Sequence, residues 1–282
     1  GAKYFALLRG TVGIFMFGIQ TYFLSKAFSY LIRISIFSID KSILDQDIFL
    51  VFLLGFNLID GTAFVIAILL QAYLFSQNFK FKRLLMNVSA ILVYCGLIFF
   101  FLIILLTDLN NTLTNFTNLF EFKNIFLKSN MIPLITVSGT IFAYFSIIIV
   151  NLGDYTRYVK NENELKKGNL CLILNLLLFS FFAVFIVTGS DFLLNKNFEN
   201  IERIFTNPTD IIGKFNNLQI TIIALMFIII ASASTNLIAN YIPAQNSLLN
   251  FLPNKLNLVS TSIVISFFGF LVGAFWLTFL SQ

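Results

Sequence analysis

Seven long apolar runs, separated by short polar stretches, decide what this chain can fold into. They cover residues 5–36, 48–75, 84–106, 132–150, 170–188, 218–240 and 259–280. A helix crosses the hydrocarbon core of a bilayer with about 20 residues, and only structures that satisfy their own backbone hydrogen bonds survive there. Charged residues make up 11% of the chain and apolar ones 58%, whereas soluble domains carry about a quarter charged residues. The expected class is therefore an all-α polytopic membrane protein, with residues 1–282 forming a single transmembrane domain in the lipid bilayer. The first two runs exceed one crossing, so they are expected to tilt or extend past the membrane.

The net charge of +5 does not point to nucleic acid, because the basic residues sit between the apolar runs. Lys80, Lys82 and Arg83 follow the second run, and Arg157, Lys160, Lys166 and Lys167 follow the fourth. By the positive-inside rule these loops face the cytoplasm, which places Gly1 inside and Gln282 outside. Residues 190–217 are too polar to span, and read as an outer loop with a short interfacial helix over 198–205, ended by Pro208. Residues 241–255, with two prolines and several amides, read as an inner-face loop with a short helix along the membrane. Cys95 and Cys171 stand alone in apolar runs as packing residues. Trp276 reads as an interface anchor. The chain has no histidine, no cysteine cluster and no paired carboxylates at depth, which argues against a membrane-embedded enzyme or a metal cofactor.

Polar atoms inside the apolar runs carry the functional signal, since each needs a partner in hydrocarbon. The block Ala231-Ser-Ala-Ser-Thr-Asn-Leu-Ile-Ala-Asn240 continues the sixth run. Ala231, Ser234 and Thr235 are spaced i, i+3, i+4 and share a face. Two hydroxyls and a backbone carbonyl there suit a hard cation with oxygen ligands. Asn236 and Asn240 line the adjoining face, where amides can hold an organic solute. The same residues also serve as interhelical glue, and that reading stays open. Gln20, amid Ile14-Phe-Met-Phe17 and Tyr22-Phe-Leu24, suits a planar amide-bearing solute or a helix–helix hydrogen bond. Lys26 and Asp60 fall at similar depth in the first two runs and are expected to pair; a nearby lysine would hold Asp60 ionised. In Asn151-Leu-Gly-Asp-Tyr-Thr-Arg-Tyr158, Asp154 and Arg157 are three apart, suited to an inner-gate latch or an ordinary helix-end pair. Gly139 and Gly153 would allow that helix to break or fray.

Three blocks together resemble the nucleobase:cation symporter family of cytosine, purine, uracil, allantoin, thiamine and hydantoin permeases. Phe17-Gly-Ile-Gln-Thr21 is similar to the family's third-helix motif. The block 151–158 is similar to the segment after its sixth helix. Ser234-Thr-Asn-Leu-Ile-Ala-Asn240, with Leu252-Pro-Asn-Lys255 behind it, is similar to the eighth helix and the turn that follows. The resemblance implies a leucine-transporter-like inverted-repeat fold, present in part as helices three to nine of twelve, so the chain is expected to be a truncated piece that does not transport alone. It implies import of a small heterocyclic solute coupled to Na+, with H+ the alternative, by a monomer in the bacterial inner membrane. Gln20 and Asn240 match the family's substrate amides, and Ala231, Ser234 and Thr235 match the eighth-helix half of its sodium site. Met16 stands where the third-helix tryptophan belongs, and Phe145, or Tyr144 one residue earlier, stands at the sixth-helix stacking position. A non-transporting, transporter-like remnant or sensor is the other function considered.

Overall fold

The computed structural model describes residues 2–45, 56–107, 113–114, 127–156, 159–195 and 217–280. The described residues form helices α1 (Ala2–Ile39), α2 (Leu58–Ser76), α3 (Phe79–Thr107), α4 (Lys128–Val150), α5 (Leu152–Thr156), α6 (Glu162–Asn195), α7 (Leu218–Asn236), α8 (Ile242–Phe251) and α9 (Leu258–Leu280). Short 3-10 and π turns follow α1 and α7, at Lys41–Asp45 and Leu237–Tyr241. Six helical stretches among these are long and apolar enough to cross a membrane, and α4 adds a shorter apolar stretch at Met131–Ala143. The protein is a multi-pass, all-α membrane protein. Much of its apolar surface faces outward: only 6% of the most apolar window in α6 is buried, as expected where lipid takes the place of core.

The chain forms two compact units. The first holds residues 1–94 and 215–282. Its centre is α1, which packs against α2, α7, α8 and α9, while α9 also packs on α2. The core gathers Phe17, Phe64, Phe75, Leu237, Tyr241 and Ile265. Phe17 and Phe75 both contact the Tyr241 ring, at 5.9 and 5.0 Å between centroids. Phe64 stacks between Phe56 and Phe270 at 5.5 Å on either side, offset geometry that adds to simple burial. Small residues let α1 and α9 approach to backbone contact: a Cβ on Gly273 would lie 2.8 Å from the Gly18 carbonyl oxygen. Gly18, two residues before Gln20, thus serves helix packing.

The second unit spans residues 95–214. Phe101 of α3 packs on Phe181, Phe182 and Phe185 of α6, with 4.5 Å between the rings of Phe101 and Phe185. Asn161 caps α6 by accepting from the Glu164 amide at 2.9 Å. The helix break near 151–158 comes at Asn151, between α4 and α5, whereas Gly139 lies inside an unbroken α4.

Several sequence expectations change. Residues 241–251 are helical: α7 runs through the π turn into α8, and the chain turns only after Leu252. Pro243 has no N–H and would crowd the carbonyl four residues back; a position at the start of α8, after the widened turn, tolerates it. Lys80, Lys82 and Arg83 belong to the first turns of α3 rather than to a loop, and Lys82 is buried. Cys95 and Cys171 are exposed, not packed inside. Trp276 is partly buried against the core and lies edge-on to Phe15 at 6.2 Å. Helix α6 continues to Asn195, past the start of the expected loop, and the expected helix over 198–205 lies outside the described residues.

Candidate solute and cation site

The site forms in the first unit, where α1 crosses the end of α7 and the π turn. At that turn the Leu237 amide donates to both the Ala233 and the Ser234 carbonyl oxygens, and the Ile242 amide reaches back five residues to Leu237. A π turn widens the helix by one residue and frequently marks a functional position. Asn236 enters this turn and Asn240 lies within it.

Two amides meet across the helices. Asn240 Nδ2 donates to Gln20 Oε1 at 2.6 Å, and Gln20 Nε2 makes a long contact, 3.4 Å, to the Ser232 carbonyl. Asn240 Nδ2 also donates to Asn236 Oδ1 at 2.9 Å. Asn236 points into the packing between α1, α2 and α7. It is fully buried, and its two Nδ2 protons serve Gln71 Oε1 (2.8 Å) and Thr21 Oγ1 (3.0 Å), with the Phe17 carbonyl sharing one of them at 3.3 Å. Gln71 Nε2 in turn donates to Thr21 Oγ1 (3.0 Å) and the Ala67 carbonyl (3.2 Å), and the Thr21 hydroxyl donates to the Phe17 carbonyl (2.7 Å). Gln71 and Thr21 therefore belong to the site although sequence reasoning passed over them. The signal for Gln71 was present: it is a lone amide in the apolar stretch Val65-Ile-Ala-Ile-Leu-Leu-Gln71, which must find a partner.

The three oxygen-bearing residues chosen for a cation also converge. Ser234 Oγ and Thr235 Oγ1 both donate to the Ala231 carbonyl, at 3.0 and 2.9 Å. Such back-bonds use the hydroxyl protons and leave the oxygen lone pairs free to accept. Three neutral oxygens on one face fit one side of a hard cation. They sit on the turn immediately before Asn236. Met16 is half-buried and one turn before Gln20 on the same stripe of α1. Tyr144 and Phe145 fall in α4, and their side chains lie outside the described residues.

Lys26 and Asp60 approach to 3.7 Å, and Arg33, not foreseen, reaches the same carboxylate at 3.4 Å. Ser29 Oγ donates to it as well. Asp60 does not sit mid-span: α2 starts at Leu58, so Asp60 occupies its first turn, where the helix dipole favours a carboxylate. Asn57 caps the same turn, accepting from the Asp60 amide at 2.8 Å. Two cations and a hydroxyl make this a structural clasp on the Asp60 carboxylate group. Asn151 and Asp154 are buried in the second unit, and Arg157 lies outside the described residues. At the end of α1, the Ser42 hydroxyl and then its amide donate to Asp40 and hold that carboxyl below its ordinary range.

Lys82 is the buried charge that the loop reading missed. Its ammonium donates to Gln245 Oε1 and lies 5.4 Å from the centre of the Tyr241 ring. Among the described residues no carboxylate pairs with it. Gln245 Nε2 ties the cluster to the Tyr241 hydroxyl, the Leu258 carbonyl and Thr261 Oγ1 at 3.1–3.2 Å. Lys82 shares a helical stripe with Leu85, Met86 and Ser89, and that spacing was the available signal.

Comparison with known proteins now decides the family. A family model described as "Permease for cytosine/purines, uracil, thiamine, allantoin" matches residues 1–281. The chain belongs to this permease family. It is 24% identical over 111 residues to "Purine-uracil permease NCS1" of Arabidopsis thaliana, covering 39% of this chain and 17% of that permease. It is 25% identical over 129 residues to "Allantoin permease" of Bacillus subtilis, covering 45% of this chain and 25% of the relative. The matches thus span a quarter or less of either relative's length. No solved structure matched the chain.

Proposed function

We propose that the chain works in a cation-coupled importer, which carries a small amide-bearing heterocycle by alternating access. The observation that carries this reading is the polarity of the Gln20–Asn240 pair. Asn240 has both amide protons engaged, so it offers a solute its Oδ1 acceptor; Gln20 has its oxygen engaged and offers Nε2 as donor. A donor beside an acceptor complements a lactam edge, the N–H next to C=O of uracil-, hypoxanthine- or hydantoin-type rings. Met16, on the same stripe, offers sulfur to a ring face.

Ala231, Ser234 and Thr235 supply one side of the site for the coupling ion, with Na+ favoured over H+ because the ligands are hydroxyl and carbonyl oxygens. Cation binding there favours the outward-open state by differential affinity, and solute binding then promotes closure. The two relatives' names, a purine-uracil and an allantoin permease, agree with a heterocyclic cargo. The transporter works as a monomer in a bacterial inner membrane, with residue 1 at the cytoplasmic face. Equilibrium binding of radiolabelled uracil, allantoin and hydantoin to the purified full-length protein, in sodium and in choline, tests the reading. It expects one of them to bind more tightly in sodium, and binding of none in either salt would refute it.

A further inference from the structure

Amide side chains can flip end for end, and an unanchored Gln20–Asn240 pair could present either polarity. Three backbone carbonyls remove that freedom, because a carbonyl only accepts. The Ala67 carbonyl demands the Nε2 of Gln71, which turns Gln71 Oε1 towards Asn236. Gln71 Oε1 and the Phe17 carbonyl, which both only accept, demand the Nδ2 of Asn236, which turns Asn236 Oδ1 towards Asn240. Asn240 must then present Nδ2 to Asn236 and to Gln20, which turns Gln20 Oε1 inward and its Nε2 towards the Ser232 carbonyl. Thr21 Oγ1 locks the inner end: it donates to the Phe17 carbonyl and accepts from both Asn236 and Gln71.

We infer that Gln71, Thr21 and Asn236 are positioning residues, forming a buried relay that fixes which amide atoms Gln20 and Asn240 offer and so selects a solute edge with a donor beside an acceptor. The relay is nearly water-free, since Thr21 and Asn236 are fully buried and Gln71 is 1% exposed. Low local polarity strengthens each bond and penalises any flip that sets oxygen against oxygen. The selectivity role rests on the proposed function, whereas the fixed polarity does not.

The test therefore has two arms on the full-length protein. In the ligand-free arm, asparagine is labelled with 15N in detergent micelles, and the Asn240 side-chain signal is assigned by its loss in Asn240→Asp. The relay requires slow proton exchange at that amide, and exchange at least about tenfold faster in Asn236→Leu and in the milder Thr21→Val, as expected when a hydrogen-bond anchor is lost. Unchanged exchange in both variants overturns the relay, whatever the protein transports. In the second arm, binding of 2-pyridone is compared with 2-pyranone, and of 2-pyrrolidone with γ-butyrolactone, each analogue carrying ring oxygen in place of the ring's only N–H. Wild type is expected to prefer the lactam by about tenfold to a hundredfold, since the oxygen leaves Asn240 Oδ1 unsatisfied. The relay variants should narrow that ratio to about threefold or less, because Asn240 is then free to turn. A wild-type preference that both variants retain overturns the selectivity role. Fast exchange in the variants, with no panel compound bound by wild type, would keep the relay and reject the proposed cargo.

Discussion

Gly13→Ala probes how tightly the site is braced. A Cβ on Gly13 would lie 2.9 Å from the Asn240 carbonyl oxygen, 3.0 Å from the Ala244 Cβ and 3.3 Å from the Ala244 amide nitrogen. Two of these three neighbours are backbone atoms and none is the end of a flexible chain, so α1 itself must move off the π turn. Overpacking of this kind costs about 1–3 kcal/mol. The displaced helix carries Gln20 two turns further on, so the 2.6 Å contact to Asn240 should lengthen as well. Gly139→Ala is the control: nothing lies within 4 Å of its added Cβ, and alanine is the better helix former by about 1 kcal/mol. Thermal denaturation of purified full-length protein in detergent should show a lower Tm for Gly13→Ala and an equal or higher one for Gly139→Ala. A Gly13→Ala variant as stable as wild type would refute the claimed closeness of α1 to the turn.

Other substitutions separate structural from functional charge. Lys82→Glu sets a carboxylate against Gln245 Oε1 and the negative face of the Tyr241 ring, so its Tm should fall well below that of Lys82→Met; equal values would mean the sign of the charge is irrelevant there. Asp60→Asn loosens the clasp of Lys26, Arg33 and Ser29 and is expected to cost about 1–2 kcal/mol, discounted for the part-exposed cations. If coupling uses hydroxyl oxygens, sodium-driven uptake survives Asp60→Asn; a folded variant without uptake would point to proton carriage by Asp60. Ser234→Ala and Thr235→Ala remove only bonds back to Ala231, so Tm should barely change, while the sodium needed for half-maximal solute binding rises; an unchanged sodium requirement would remove these hydroxyls from the cation site.

The readable parts of this protein were those where hydrocarbon forces a polar atom to declare itself. Gln20, Asn240 and the Ala231/Ser234/Thr235 triplet stood out for that reason, and the structure brings the first two together and the latter three onto one carbonyl. Asn236 declared itself too, but its direction was misjudged. Its spacing from Asn240 suggested a shared solute-facing side, and only the π turn, with Gln71 and Thr21 behind it, shows that it faces inward. A π turn shifts register by one residue with no compositional mark, and Pro243 pointed to a loop rather than to a widened helix. Lys82 was hidden for a different reason: in a cluster with Lys80 and Arg83, a buried lysine has the same composition as a solvated one. Asp60 was paired correctly with Lys26 but placed too deep, because an apolar run does not reveal where its helix begins.

The central claim, that Gln20 and Asn240 hold the solute beside a sodium-binding triplet, is tested most directly by uptake. Vesicles carrying the full-length protein would be given labelled uracil, cytosine, hypoxanthine, allantoin, hydantoin and thiamine, with and without an inward sodium gradient, beside Gln20→Ala and Asn240→Ala. The account requires sodium-driven uptake of at least one compound, lost in both variants. Uptake that ignores sodium, or that survives both substitutions, would contradict it.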